Sequence, residues 1–242
     1  MKRLILPLIV ALVAALAWGL GDKDKKTQSS KVVDAGTFGV FLNGKRIGTE
    51  KFHIEQGSEL GTITSEIKVD DGNSKAEQSA EMQIAANGEL RVYKWHSTVP
   101  AKEESIVEPK EQLLVEHLTE ADQKKRDVPY LLPLSTVILD DNFFSHRELL
   151  IWRYLASGCV PRDNTLACGP SHFGVLVPRQ HMAANTTVEL VGRDKITVKN
   201  TEREFNKVKI DADGVQWLVW VDDSYKVIKM SIPSGNIEVW RD

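Results

Sequence analysis

Three dipeptides restrict this chain more than any other feature. Asn43-Gly44, Asp71-Gly72 and Asn87-Gly88 each interrupt a run in which apolar and polar residues alternate. At Asn43-Gly44 the pair supplies the positive φ angles of a tight hairpin turn, and alternation on both sides of all three marks the strands they join. Phe38, Val40 and Leu42 lead into the first turn, and Phe52 and Ile54 follow it. Ile63, Ile67 and Val69 lead into the second, and Ala80, Met82 and Ile84 run to the third. Leu90 to Ser97 then sets Tyr93 and Trp95 opposite Leu90 and Val92. The first stretch reads as a five-strand antiparallel meander.

Further strands are expected at 105–107 and 112–118, with a charged loop, ADQKKRD, at 121–127. The pattern then changes. Phe143, Leu150, Ile151, Tyr154 and Leu155 recur at helical spacing, Asp140, Asp141 and Asn142 offer an N-cap, and Gly158 offers a stop. One amphipathic helix is predicted over 140–157, starting no earlier than Ser135. Strands resume at 173–177, 187–191, 196–199, 205–210, 215–221, 225–232 and 237–240, with a turn at Asp213-Gly214. In 215–221 (VQWLVWV), Val215, Trp217, Val219 and Val221 share one face, and Leu218 and Trp220 share the other. A strand apolar on both faces is central or lines a cavity. One helix with a single apolar stripe needs a sheet to cover. The expected fold is mainly β (α+β): a large curved antiparallel sheet or half-barrel covered by one main amphipathic helix. A two-sheet sandwich is the rival.

The N-terminus carries an address. Lys2 and Arg3 precede an uncharged apolar run from Leu4 to Ala14, and Ala15-Leu16-Ala17 fits a cleavage site. Residues 1–21 therefore read as a secretory signal peptide, or as an uncleaved membrane anchor running to Leu20. Residues 22–34 read as a polar linker and 35–242 as a single β-rich domain. Both N-terminal readings place the domain outside the cytoplasm, periplasmic or otherwise extracytoplasmic; in the anchored case the N-terminal segment contacts the inner membrane. Without Lys2 and Arg3 the charge is 29 basic against 34 acidic residues. That balance excludes the basic stripe which nucleic-acid binding needs. A hydrophobic fraction of 42% excludes a disordered chain.

Cys159 and Cys168 are the two cysteines. In an oxidising compartment a disulfide is the simplest reading. His172 and His181 follow and complete Cys-x8-Cys-x3-His-x8-His, a looser spacing than a usual zinc finger but a second reading. Catalytic patterns are scarce. There is no G-x-S-x-G elbow, no H-E-x-x-H and no phosphate-binding glycine loop. Ser171-His172 is the nearest approach to a serine hydrolase, and neighbours in a strand seldom face each other. Asp140 and Asp141 could form an acid-base pair, although helix capping explains them with less. His53, His96 and His117 fall in strands and read as packing residues. No cofactor is expected, and no catalytic residue is assigned.

What remains is an apolar interior rich in tryptophan. A cavity between a curved sheet and its helix would suit an apolar or lipid-like ligand. Its expected lining is Trp217, Val219, Trp220 and Met230 from strands, with Phe143, Phe144, Leu150, Ile151 and Tyr154 from the helix. Carriage of a ligand needs a void of roughly 300 Å³ or more. The competing expectation is a module that docks an envelope protein partner through a sheet edge or face.

FLNGKRIGTEKFHI and the closing VQWLVWVDDSYKVIKMSIPSGNIEVW carry a resemblance. The matching residues are Asn43, Gly44, Gly48, Glu50 and Phe52, then Trp217, Trp220, Asp222, Lys226 and Lys229. Together with LSTVILDDNFFSHRELLIWRY they resemble a group of uncharacterised exported bacterial β proteins. That group looks like the lipoprotein-carrier half-barrel of the LolA and LolB type. The resemblance implies a curved antiparallel sheet with helix on its concave side, binding of lipid or lipid-linked molecules, and a role in the cell envelope.

Overall fold

The computed structural model describes residues 30–140, 142–162, 165–212 and 214–242. The signal or anchor segment, the linker up to residue 29, Asp141 and Asp213 lie outside the described residues. The predicted meander forms as β1 (Lys31–Leu42), β2 (Lys45–Gln56), β3 (Leu60–Asp70), β4 (Lys75–Ala85) and β5 (Leu90–Val99). Asn43 and Gly44 take φ of 51° and 77°, the left-handed pair that a tight hairpin requires. The antiparallel run continues through β6 (Glu103–Lys110), β7 (Leu113–Thr119) and β8 (Lys125–Tyr130). The chain then crosses to the short β9 (Val137–Ile138) and enters the helix α1 (Ser145–Gly158). A small hairpin, β10 (Cys159–Arg162) with β11 (Thr165–Cys168), follows. A second meander closes the chain: β12 (Ser171–Val177), β13 (Met182–Val198), β14 (Thr201–Ala212), β15 (Val215–Val221), β16 (Val227–Ile232) and β17 (Ile237–Arg241).

Strand β17 pairs antiparallel with β1, so the two meanders form one 15-stranded sheet among the described residues. Its first strand is β8 and its last is β9, which lies parallel to β12. At about 4.8 Å per neighbour a flat sheet of this size would be roughly 67 Å wide. Yet its two edges are joined by residues 131–136 alone. That link spans at most about 25 Å when fully extended. The sheet must therefore roll up until its edges approach. Polar contacts bridge the seam: the His181 Nδ1 lies 3.0 Å from the Glu116 carboxylate of β7, and the Leu90 N–H donates to the Leu134 carbonyl at 3.0 Å.

Helix α1 lies within the hollow and touches strands from both meanders. Ser145 meets Ser65 of β3, the Tyr154 hydroxyl accepts from the Leu190 N–H of β13, and the Trp152 indole donates to the Tyr225 carbonyl. Leu150, Ile151 and Tyr154 are fully buried with Val219, Met230 and Val239. The curved sheet filled by one helix is thus present, and the two-sheet sandwich is not.

Four local expectations change. The helix begins at Ser145, not Asp140, and residues 137–138 form strand β9. Strand β1 begins at Lys31, so 31–34 are not linker: Lys31 and Val32 pair with Gln56 and Glu55. Lys125 to Asp127, expected in a loop, open the edge strand β8. Charges and Pro129 there suit an edge that must not recruit another chain. The separate strands at 187–191 and 196–199 are one strand, β13, with a bulge between Leu190 and Gly192.

Candidate functional site

Each end of α1 presents a site of different chemistry. At the first turn no local side chain caps the helix; its N-cap position is Phe144. The cap comes from a distant strand. The Glu50 carboxylate of β2 accepts from the Phe144 N–H at 2.7 Å, the Ser145 N–H at 3.3 Å and the Ser145 hydroxyl at 2.7 Å. Burial raises the Glu50 pKa to about 7 in spite of those donors. Asp140 instead accepts from the Tyr93 hydroxyl at 2.7 Å and faces Arg179 at 3.4 Å. The expected Asp140 cap is corrected accordingly; the Asp140–Asp141 acid-base pair falls on Asp141, which lies outside the described residues.

The next three helix residues extend this buried cluster. Burial, with the positive Arg147 beside it, lowers the His146 pKa to about 3, so the ring is neutral and its Nδ1 accepts from the Asp140 N–H. Arg147 stacks on Trp217 with its guanidinium carbon 3.8 Å from the ring centre and donates to the Asp140 and Phe143 carbonyls. Neither Glu148 oxygen has a donor in hydrogen-bond geometry. Burial and the neighbouring Asp34 carboxylate push the Glu148 pKa to about 9. Its own proton then serves the pair. Asp34 is itself bound by Lys226 at 3.0 Å and Arg241 at 2.7 Å. Apart from Glu148, these groups find their partners in the interior, the pattern of a structural network.

The other end of α1 is open. A cavity of about 420 Å³ lies at the seam, but a larger one of about 730 Å³ separates the helix from β2–β5. Its floor is buried: Ile54, Ile63, Met82, Ala85, Leu90, Thr136 and Ile138. Its rim is exposed: Gln56, Ala86, Asn87, Ala156 and Ser157. Leu149, Trp152 and Arg153 form the helix wall. The volume falls inside the roughly 300–1,000 Å³ range of small-molecule sites.

None of the nine residues expected to line a ligand cavity lines this one. Phe143, Leu150, Ile151, Tyr154, Val219 and Met230 are completely buried in solid packing between α1 and the second meander, and Phe144 and Trp217 pack tilted against each other there. Trp220 faces the outside of the sheet, where its indole donates to Asp194 and Lys207 and Lys229 cover its ring. The expectation chose the apolar stripe of the helix, and that stripe is fully consumed by packing. The cavity faces the flank. Periodicity carried no signal for it, because Leu149, Trp152 and Ala156 lie at helical spacing but outside the chosen stripe.

Cys159 and Cys168 form a disulfide that clamps β10 to β11, so their thiolates are not zinc ligands and the zinc reading falls. Ser171 and His172 are consecutive in β12 and point to opposite faces. The His172 ring bonds the Thr187 hydroxyl at 3.0 Å and not a serine nucleophile, which overturns that hydrolase arrangement.

No protein-family model matches the chain, and no curated protein matches it. Among solved structures the chain is similar to a β-barrel-like protein of the domain of unknown function DUF1849 from Brucella abortus. The TM-score is 0.51 at 11% identity, over 86% of this chain and 94% of that one. The likeness shows a β-barrel-like fold. It does not extend to the lipoprotein-carrier half-barrel, a resemblance that rests on sequence.

Proposed function

We propose that this protein is a non-catalytic extracytoplasmic binder of an apolar or amphiphilic small molecule, held between α1 and strands β2–β5. The observation that supports it is the 730 Å³ cavity with a buried apolar floor and an exposed rim. A buried apolar floor reached through an exposed rim is the usual form of a small-molecule site. Export agrees with the disulfide, which persists in oxidising compartments, and with the apolar N-terminal segment.

The test uses displacement of a fluorescent fatty-acid probe from purified protein, with native mass spectrometry of protein taken from membranes. Wild type is expected to bind the probe, and Ala156→Trp, which places a large ring at the exposed rim, to bind it at least tenfold more weakly with unchanged melting temperature. Ligand-free protein that never binds a probe removes the proposal.

A further inference from the structure

We infer that the molecule this cavity takes is a single-chain amphiphile with an anionic head, whose carboxylate or phosphate oxygens are bound by Arg153 beside the Asn87-Gly88 turn. The inference rests on the reading of the cavity as a binding site and goes further by naming the ligand's chemical class.

Arg153 projects from the helix wall into the cavity and is half-buried. Among the described residues its hydrogen bonding amounts to one contact, Nη1 donating to the Gly88 carbonyl at 3.3 Å, and no carboxylate pairs with it. The contrast with other inward arginines is direct. Arg241 meets Asp34 at 2.7 Å, Arg179 meets Asp140 at 3.4 Å, and Arg147 is stacked on Trp217 and bonded to two carbonyls. A guanidinium has five donors in a planar fork that matches a carboxylate or a phosphate. At Arg153 most of that fork is unspent. It stays charged although burial lowers its pKa.

A second polar group lies near the same turn. Thr136 lines the cavity, and its Oγ1 is buried without a hydrogen-bond partner. The Leu134 carbonyl accepts from the Leu90 N–H, which holds this segment against the strand that follows Asn87-Gly88. The Thr136 oxygen is closed off from the cavity, so the ligand head is left to Arg153.

Below a rim that carries Gln56, Asn87 and Ser157, the walls offer mainly carbon to a chain. Ile54, Ile63, Met82 and Leu149 present carbon, and the Trp152 indole N–H is already spent on the Tyr225 carbonyl at 2.8 Å. The carboxylate in the lining, Glu55, is bonded by the Ser30 hydroxyl at 2.7 Å and by His53 at 2.8 Å, so its charge is engaged. Among the described residues, a cation with most of its donors unspent beside a buried apolar floor describes an amphiphile, not a wholly neutral hydrocarbon.

The experiment compares hexadecanoate, hexadecyl phosphate and hexadecanol as competitors of a neutral fluorescent probe, at pH 8 and below their aggregation concentrations. The chain is constant and the head alone changes. At least one anion should bind about tenfold or more tightly than the alcohol, the effect of a charge-assisted hydrogen bond. The two anionic arms separate a carboxylate site from a phosphate site. Arg153→Met should bring both anions down to the affinity that hexadecanol has in the same variant, and Arg153→Lys should keep part of the difference. If wild type binds all three equally, or the preference survives in Arg153→Met, the head-group inference is overturned while the cavity reading stands. If none of the three binds, both fall. Should Arg153→Met fail to fold, the wild-type comparison of heads decides alone.

Discussion

At its first turn α1 is held by Glu50, Ser65 and a ring of buried ionisable groups from β1, β5 and the segment before the helix; past Leu149 it stands away from β2–β5 across a cavity of about 730 Å³. The first end is polar and solid, and the second is apolar and hollow. A buried charge tolerates no gap, because each unmet donor or acceptor costs more than a lost contact. An apolar wall tolerates one, since only dispersion and burial are lost. The polar end can therefore serve as the fixed point about which the hollow end is kept open.

This contrast can be broken by removing the fixed point. Glu50→Ala leaves two backbone N–H groups and the Ser145 hydroxyl without their acceptor. A loss of about 3–5 kcal/mol is expected in denaturant unfolding. A loss under ~1 kcal/mol would mean that the helix is held by its apolar stripe alone.

Adjacent leucines sharpen the contrast. Leu150 is fully buried in the packed face, whereas Leu149 borders the cavity. Leu150→Ala should cost about 3–4 kcal/mol, and Leu149→Ala about 1 kcal/mol, because the second removes atoms that already lack neighbours on one side. Equal costs would show that the cavity closes in solution.

The smallest effect is on pH dependence. A raised folded pKa means that the folded state keeps a proton which the unfolded chain releases, so stability falls as pH rises through the folded value. Between pH 8 and 9 Glu148, at about 9, is the strongest such group, because Glu50, at about 7, has given up most of its proton by pH 8 and His146, at about 3, is neutral throughout. Stability should drop by up to about 1.4 kcal/mol per pH unit across that window. Glu148→Gln, which keeps the neutral shape, should flatten the slope; an unchanged slope would place the titrating group elsewhere.

Much of the fold was legible because its signals are local. Each Asn-Gly or Asp-Gly pair and its flanking alternation is decided within about ten residues, and the helix stripe at Leu150, Ile151 and Tyr154 within a few turns. The helix cap was not legible. Asp140 and Asn142 are good local caps, yet the capping group is Glu50, 94 residues away from Phe144. The cavity was misplaced for the same reason. Trp217, Val219 and Met230 are as apolar as any lining, and only their partners across the hollow show that the space is full.

By itself the chain's order of residues determined a first meander, further strands toward the C-terminus, one helix and a pair of nearby cysteines. Tertiary structure alone decided that β17 would meet β1, that the sheet would roll until residues 131–136 could bridge its edges, and which flank of α1 would remain uncovered. Turn chemistry and periodicity are properties of neighbours in sequence. Closure and leftover volume depend on how many side chains from distant strands compete for one space, which no local pattern counts.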